Sequence, residues 1–214
     1  MIMDFKTFLQ IVPNIAKVAL PGDTAHIKMA PPERRELMKK LDSSINPRKA
    51  AVLMLVYPQD EIACLSLIRR NSYKGVHSSQ IAFPGGKSEE YDASPLYTAL
   101  RETEEEIGVP REQVNLIAPF SEVYIPPSNF LVSPFLGYAV ETPVFIPDSR
   151  EVVEVLHYPL ADLLDNNKVI LSRMATSYSE SIEVPVFKFQ NETIWGATAM
   201  MLSELKEVLK IALK

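Results

Sequence analysis

Sulfur chemistry is nearly missing from this chain. Cys64 is the single cysteine in 214 residues, which excludes an intramolecular disulfide. Its place in the apolar run Ile62-Ala63-Cys64-Leu65 marks a buried structural thiol and suits a reducing compartment. An excess of positive charge is also missing: the net charge is −5 and the pI about 5.3, which argues against a general nucleic-acid binder. No apolar run approaches the roughly 18 residues that a membrane helix needs. Residues 1–20 are interrupted by Asp4, Lys6 and Pro13 and lack a signal-peptide pattern, and the terminal Ala-Leu-Lys is not a peroxisomal address. Internal repeats and low-complexity tracts are absent. These absences together predict a cytoplasmic protein that engages neither membrane nor nucleic acid.

What is present is ordinary globular material, 47% hydrophobic and 23% charged. The length suits one domain with a full core and a terminal extension. Residues 1–49 read as that extension, with the domain proper at 50–214. Phe5, Phe8, Leu9, Ile11, Val12, Ile15 and Val18 follow a rough helical period, and Pro13 is expected to kink or divide that helix. Pro21-Gly22-Asp23 marks a turn. Pro31 and Pro32 then open a second predicted helix at 33–41, where Arg34, Arg35, Lys39 and Lys40 form a solvated basic face paired with Glu33 and Glu36.

From Ala50 the pattern changes to strands. Residues 51–57 and 61–68 are apolar runs of strand length separated by Pro58-Gln59-Asp60, and they read as neighbours in a buried sheet. Residues 114–124 and 130–140 read as two more strands flanking a turn stiffened by Pro126 and Pro127. A strand follows at 151–156, then a short helix opened by Pro159, and a last strand at 184–189. Residues 197–213 read as a helix turning Met200, Met201, Leu205, Val208, Leu209 and Ala212 to the core, with Trp195 capping that core.

The chemistry concentrates in residues 83–109, FPGGKSEEYDASPLYTALRETEEEIGV. Pro84-Gly85-Gly86 ends a short strand and turns the backbone sharply. Ser94 is a helix N-cap with Pro95 at the first helical position, and Gly108 is the stop signal. Leu96, Ala99, Leu100, Thr103 and Ile107 supply the apolar side. Glu102, Glu105 and Glu106 are related by three and four residues, so they share one face, while Glu104 points elsewhere. Like charges so placed repel one another, and the last helical turn disfavours negative charge. A divalent cation with oxygen ligands, Mg²⁺ or Mn²⁺, relieves both problems. Arg101 lies four residues before Glu105, within reach of an ion pair. Ahead of the glycine turn runs the polar stretch 69–80, where Arg69, Arg70 and Lys74 are candidates to neutralise substrate phosphates and His77 to contact substrate. His77 lacks the partner histidines that metal ligation needs.

This stretch resembles the Nudix box: glycine, five residues, glutamate, seven residues, then R-E-U-x-E-E-x-G-U with U aliphatic. RETEEEIGV at 101–109 matches the fixed letters, with Thr103 at an aliphatic position. Asp92 replaces the first glutamate, and eight residues rather than seven separate it from Arg101. The resemblance implies an α/β fold, an α/β/α sandwich around a mixed sheet. It also implies a Mg²⁺ or Mn²⁺ site built from Glu102, Glu105, Glu106 and the Gly86 carbonyl, with Glu102 a candidate base and Arg101 orienting Glu105. An acidic residue outside the box often adds a ligand or base in Nudix enzymes, and Glu122, Glu151 and Glu154 are the candidates. Arg70 with HSSQIAFPGGK, YIPPSNFLVSPFLGY at 124–138 and IWGATAMMLSEL at 194–205 resemble the coenzyme A diphosphatase branch, with Ser79 where that branch has glycine. The implied reaction is metal-dependent hydrolysis of a nucleoside diphosphate-linked small molecule. Coenzyme A or acyl-CoA would give 3′,5′-ADP and (acyl-)4′-phosphopantetheine. A broader hydrolase of dinucleotides, ADP-ribose or nucleotide sugars is one alternative, and a non-catalytic regulatory Nudix domain is another. A homodimer is compatible with all three.

Overall fold

A computed structural model describes residues 3–32, 34, 46–71, 80–174 and 181–214. In chain order the helices are α1 (Phe5–Ile15), α2 (Asp23–His26), α3 (Pro95–Ile107), α4 (Leu160–Leu164) and α5 (Gly196–Ala212). The first four strands are β1 (Arg48–Gln59), β2 (Ile62–Arg70), β3 (Ile81–Ala82) and β4 (Gly85–Lys87). After α3 come β5 (Asn115–Pro119), β6 (Val123–Ile125), β7 (Phe130–Tyr138), β8 (Val152–Pro159), β9 (Val169–Met174), β10 (Ile182–Phe189) and β11 (Glu192–Ile194). The helix expected at 33–41 lies, except for Arg34, outside the described residues; Arg34, expected on a solvated face, is instead buried and donates to the Tyr124 carbonyl.

β1 and β2 pair antiparallel across the two-residue turn Asp60-Glu61, whose φ values of 49° and 65° give the primed turn that matches strand twist. β1 also pairs in parallel with β7, so the sheet is mixed, in the order β3-β2-β1-β7-β5. β4 extends it beside the start of β1, β6 beside β7 and β8 beside β2. A second sheet runs β11-β10-β9. Both faces of β1 are covered, which is why its sequence reads as an unbroken apolar run. Ala51, Leu53, Leu55 and Tyr57 pack with Cys64, Ile68, Ala99 and Ile107 beneath α3. Met54 and Val56 face the opposite layer, where α1 contributes Phe8 and Ile11 and α5 contributes Met200, Leu205 and Leu209. Helix, sheet and helix thus form the α/β/α sandwich.

Some elements depart from expectation for local reasons. α1 runs unbroken through Pro13, because the proline falls two residues before the helix ends and costs one backbone bond there; Asp4 caps the start by accepting from the Thr7 amide at 2.7 Å. The strand expected at 114–124 divides into β5 and β6 because Ser121 is captured by Glu204. The Glu204 carboxylate accepts from the Ser121 hydroxyl at 2.6 Å, from its amide at 3.1 Å and from the Gly22 amide at 2.8 Å, and it lies 3.4 Å from His26 Nε2. β10 is followed by β11 rather than ending the sheet, and β9 was not foreseen: Ile170 and Leu171 are exposed and carry no alternation. The expected core face of α5 is buried throughout, and Trp195 is half-buried at its N-cap.

Candidate active site

α3 forms where its caps dictate. Ser94 Oγ accepts from the Tyr97 amide at 3.1 Å, Pro95 occupies the first turn, and Gly108 closes the helix at φ 73° with its N–H bonded to the Glu104 carbonyl. Ala99, Thr103 and Ile107 are buried as expected, but Leu96 and Leu100 are only half-buried. Arg101 and Glu106 go inward with them, so the helix presents polar groups to the sheet as well as apolar ones.

β4 brings the glycine turn under this helix. Gly86 pairs with Ala51, and a Cβ on Gly86 would stand 2.4 Å from Glu102 Oε2, so the carboxylate rests directly on the glycine backbone. The neighbouring Gly85 donates its N–H to Glu106 Oε2 at 2.8 Å. The other oxygen of Glu106 accepts from Arg70 Nη1 at 3.0 Å, and Arg70 Nη2 lies 3.9 Å from Glu151.

Arg101 is enclosed. Its Nε and Nη2 donate to the two oxygens of Asp92, each at 2.9 Å, its Nη1 reaches Glu105 and Glu102 at 2.9 Å, and Nη2 also donates to the Lys87 carbonyl. Asp92 accepts further bonds from the Glu89 amide and the Thr98 hydroxyl. The loop with its extra residue therefore still delivers a carboxylate to Arg101 in bidentate geometry. Tyr91, at the tip of that loop, stacks over the guanidinium at 5.6 Å. Glu104 points away from this cluster and pairs with Arg111 at 3.0 Å.

Burial and like charge set the electrostatics. Burial pushes Glu106 up to about 7, against the pull of Arg70 and the Gly85 N–H, while Glu102 and Glu151 push it further. Burial also raises Glu102, opposed by Arg101 and reinforced by Glu105 and Glu151. Hydrogen bonds from Arg101 hold the Asp92 carboxyl well below the usual carboxylate range.

Glu102, Glu105, Glu106, Glu151, Arg70, Arg101 and Gly86 are thus brought together. Arg69 and Glu154 are not: they bind each other on the opposite face of β2, where Arg69 also takes Glu192 of β11 at 2.7 Å and links the two sheets. Glu122 accepts from Ser133 at 2.8 Å, two strands from Gly86 through the Gly86–Ala51 and Ala51–Ser133 pairings. Lys74 and His77 lie outside the described residues. The Gly85 N–H and Tyr91 escaped the sequence reading. The double glycine was a signal for the first, and an aromatic beside Asp92 was a weak one for the second.

The donor set suits a hard divalent cation: carboxylate oxygens from the buried Glu106, the part-buried Glu102 and the exposed Glu105, beside a glycine carbonyl. Among the described residues no three such side chains converge on one point. Glu102 and Glu105 are turned to Arg101 and Glu106 to Arg70, so a cation would be held after these side chains rotate.

The fold is thus an α/β protein whose mixed sheet carries a glycine turn beneath a carboxylate helix. Residues 47–177 match the family model described as NUDIX domain, and the chain belongs to that family as a Nudix hydrolase. It is 30% identical over 175 residues to a Yersinia enterocolitica protein named "Uncharacterized Nudix hydrolase NudL", covering 78% of this chain and 85% of that one. The Yersinia pestis (strain Pestoides F) protein of the same name is 32% identical over 172 residues, covering 78% and 83%. Among solved structures, a MutT/nudix family protein from Enterococcus faecalis superposes with a TM-score of 0.54 at 18% identity, covering 90% of this chain and 76% of that one. The M. smegmatis Nudix hydrolase RenU gives 0.53 at 18% identity, covering 77% and 86%. These two likenesses establish the fold. Nudix hydrolases generally use divalent metal ions and act on small nucleoside diphosphate-linked substrates. Among the described residues no helix is long and apolar enough to cross a membrane.

Proposed function

We propose that this chain hydrolyses the diphosphate of coenzyme A or an acyl-CoA in the cytoplasm, giving 3′,5′-ADP and (acyl-)4′-phosphopantetheine. The observation that carries the hydrolytic half is the carboxylate group on the glycine turn, Glu102 against the Gly86 backbone and Glu106 on the Gly85 N–H, with Glu105 joined through Arg101 and Glu151 through Arg70, and with Glu102 and Glu106 raised by burial and by neighbouring carboxylates. The substrate half rests on the branch resemblance of Arg70 with residues 77–87, 124–138 and 194–205. Glu102, Glu105, Glu106 and the Gly86 carbonyl would hold Mg²⁺ or Mn²⁺, which supplies charge neutralisation at the phosphoryl oxygens and lowers the pKa of a bound water. Arg101 holds Glu102 and Glu105 in place from behind and does not touch substrate. Glu102 is the base within the box. Glu151 is the best placed of the three outside carboxylates, because its charge is felt by both Glu102 and Glu106, whereas Glu154 is engaged by Arg69. One water adds across the P–O–P bridge: its oxygen joins the attacked phosphorus, its proton passes to a carboxylate, and the other phosphate leaves. Of the residues expected as an N-terminal extension, 1–49, the described α1 and α2 serve as a helical cover packed on the domain, whereas Arg48 and Lys49 already belong to β1.

The test incubates the protein with coenzyme A and Mg²⁺ in ¹⁸O water and identifies products by mass spectrometry. Release of phosphopantetheine that EDTA abolishes is expected. Turnover of ADP-ribose or a dinucleotide without phosphopantetheine release would remove the coenzyme A assignment, and no turnover of any diphosphate would favour a regulatory domain. In the same assay Glu106→Gln is expected to lose more than about a hundredfold in rate.

A further inference from the structure

We propose that Arg70 is a resident counter-ion that a divalent cation must displace from Glu106, and that the displaced guanidinium then binds the substrate's diphosphate. This rests on the reading of Glu102, Glu105 and Glu106 as the cation site.

The placement is a consequence of strand alternation. Along β2, Cys64 and Ile68 face α3, and Arg70 follows on that side, whereas Arg69 faces the opposite layer. The Arg70 backbone is fixed by the hydrogen bond that its N–H donates to the Gln80 carbonyl at 3.1 Å and by its pairing with Val152 of β8. From there its side chain spans an inside and an outside. One nitrogen meets Glu106, whose side chain is 3% exposed, and the other approaches Glu151, which is 54% exposed. The Arg70 side chain as a whole is 21% exposed.

Glu106 cannot be left alone in that position. A buried carboxylate without a positive partner is strongly destabilised, and the Gly85 N–H satisfies one of its oxygens without neutralising it. Arg70 supplies the charge on the other oxygen, the one a cation would need. A divalent ion and a guanidinium compete for the same lone pairs and repel each other, so cation entry drives Arg70 outward, toward Glu151 and solvent. There a planar guanidinium matches the oxygens of a diphosphate in bidentate fashion. One residue thus has opposite effects on two ligands: it opposes the cation and favours the substrate.

The test measures both on the full chain. Mn²⁺ binding, followed by electron paramagnetic resonance at about pH 8 to limit proton competition, is compared between wild type, Arg70→Gln and Arg70→Lys. Arg70→Gln is expected to bind Mn²⁺ about tenfold more tightly while its KM for the diphosphate substrate rises about tenfold or more. Arg70→Lys, which keeps the charge, is expected to bind Mn²⁺ like the wild type. A purely structural salt bridge would weaken both ligands on removal, and any pair of signs other than tighter Mn²⁺ and raised KM overturns the proposal. Should Arg70→Gln fail to fold, the wild type still decides. Its Arg70 side-chain NMR signal, assigned by its loss in Arg70→Lys, is expected to shift when Mg²⁺ saturates the protein, and an unmoved signal refutes displacement. Failure of the underlying reading is distinguishable, because wild type itself would then bind no Mn²⁺ and Glu106→Gln would bind as it does.

Discussion

The adjacent glycines of the turn offer a sharp test of the site, because an added methyl meets a different neighbour at each. At Gly86 a Cβ would stand 2.4 Å from Glu102 Oε2, and ordinary contact begins at 3.4 Å, so the carboxylate must retreat by about 1 Å (3.4 − 2.4). It can do so, since it ends a flexible side chain. The Gly86 backbone is not in the left-handed region, and alanine there restricts the unfolded chain, so stability should change by no more than about 1 kcal/mol. Catalysis should not be spared. A displacement of about 1 Å in a positioned group costs on the order of a hundredfold in rate. At Gly85 the same methyl would stand 2.3 Å from the Ala51 carbonyl oxygen and 2.6 Å from Val52 Cα, at φ 148°, where neither backbone atom can yield. Gly85→Ala should therefore lose about 2 kcal/mol or more of stability. Urea denaturation and kcat/KM on the diphosphate that the wild type turns over fastest separate the two effects. A folded Gly86→Ala enzyme with wild-type kcat/KM would refute the placement of Glu102 against the turn.

Asp92→Asn breaks the bidentate pair with Arg101, whose side chains are 1% and 9% exposed, and should cost about 3 kcal/mol in urea denaturation at neutral pH. Because the folded carboxyl is held below its unfolded value, its contribution is present above about pH 4 and lost as pH falls through the folded value. The variant's stability should therefore decline less than the wild type's below about pH 4. Glu204→Gln leaves the Gly22 and Ser121 donors and His26 without a carboxylate, and should cost about 3 kcal/mol and open Lys17 and Lys28 to trypsin; an unchanged cleavage rate would count against Glu204 as the anchor of α2. Glu61→Gly relieves a left-handed conformation at φ 65° in the β1–β2 turn and should raise stability by about 1 kcal/mol, read as a higher urea midpoint.

The carboxylate helix was legible in the sequence because its caps, its stop and its chemistry are all local. Ser94, Pro95 and Gly108 set its ends without reference to anything distant. Arg69 and Arg70 were both candidates for the site, and sequence could not separate them. Which face each takes depends on where β2 meets β1 and β8, and those contacts join residues far apart in the chain. The same holds for Glu151 and Glu154. β9 was invisible because its adjacent apolar residues Ile170 and Leu171 are both exposed, so the sequence there shows no period of two. The division between β5 and β6 depends on Glu204, which lies 83 residues beyond Ser121.

The turn at Asp60-Glu61 sets something like a reading frame for the strand that follows. Arg69 and Arg70 carry the same charge one position apart, and alternation alone sends one to fasten two sheets and the other to Glu106. Inserting or deleting one residue in the turn would exchange their assignments, and with them every face of β2. A change of two would restore parity. Relatives of this chain should therefore vary the β1–β2 connection in even steps, and odd-length variants should be recovered only alongside a compensating bulge within β2 itself.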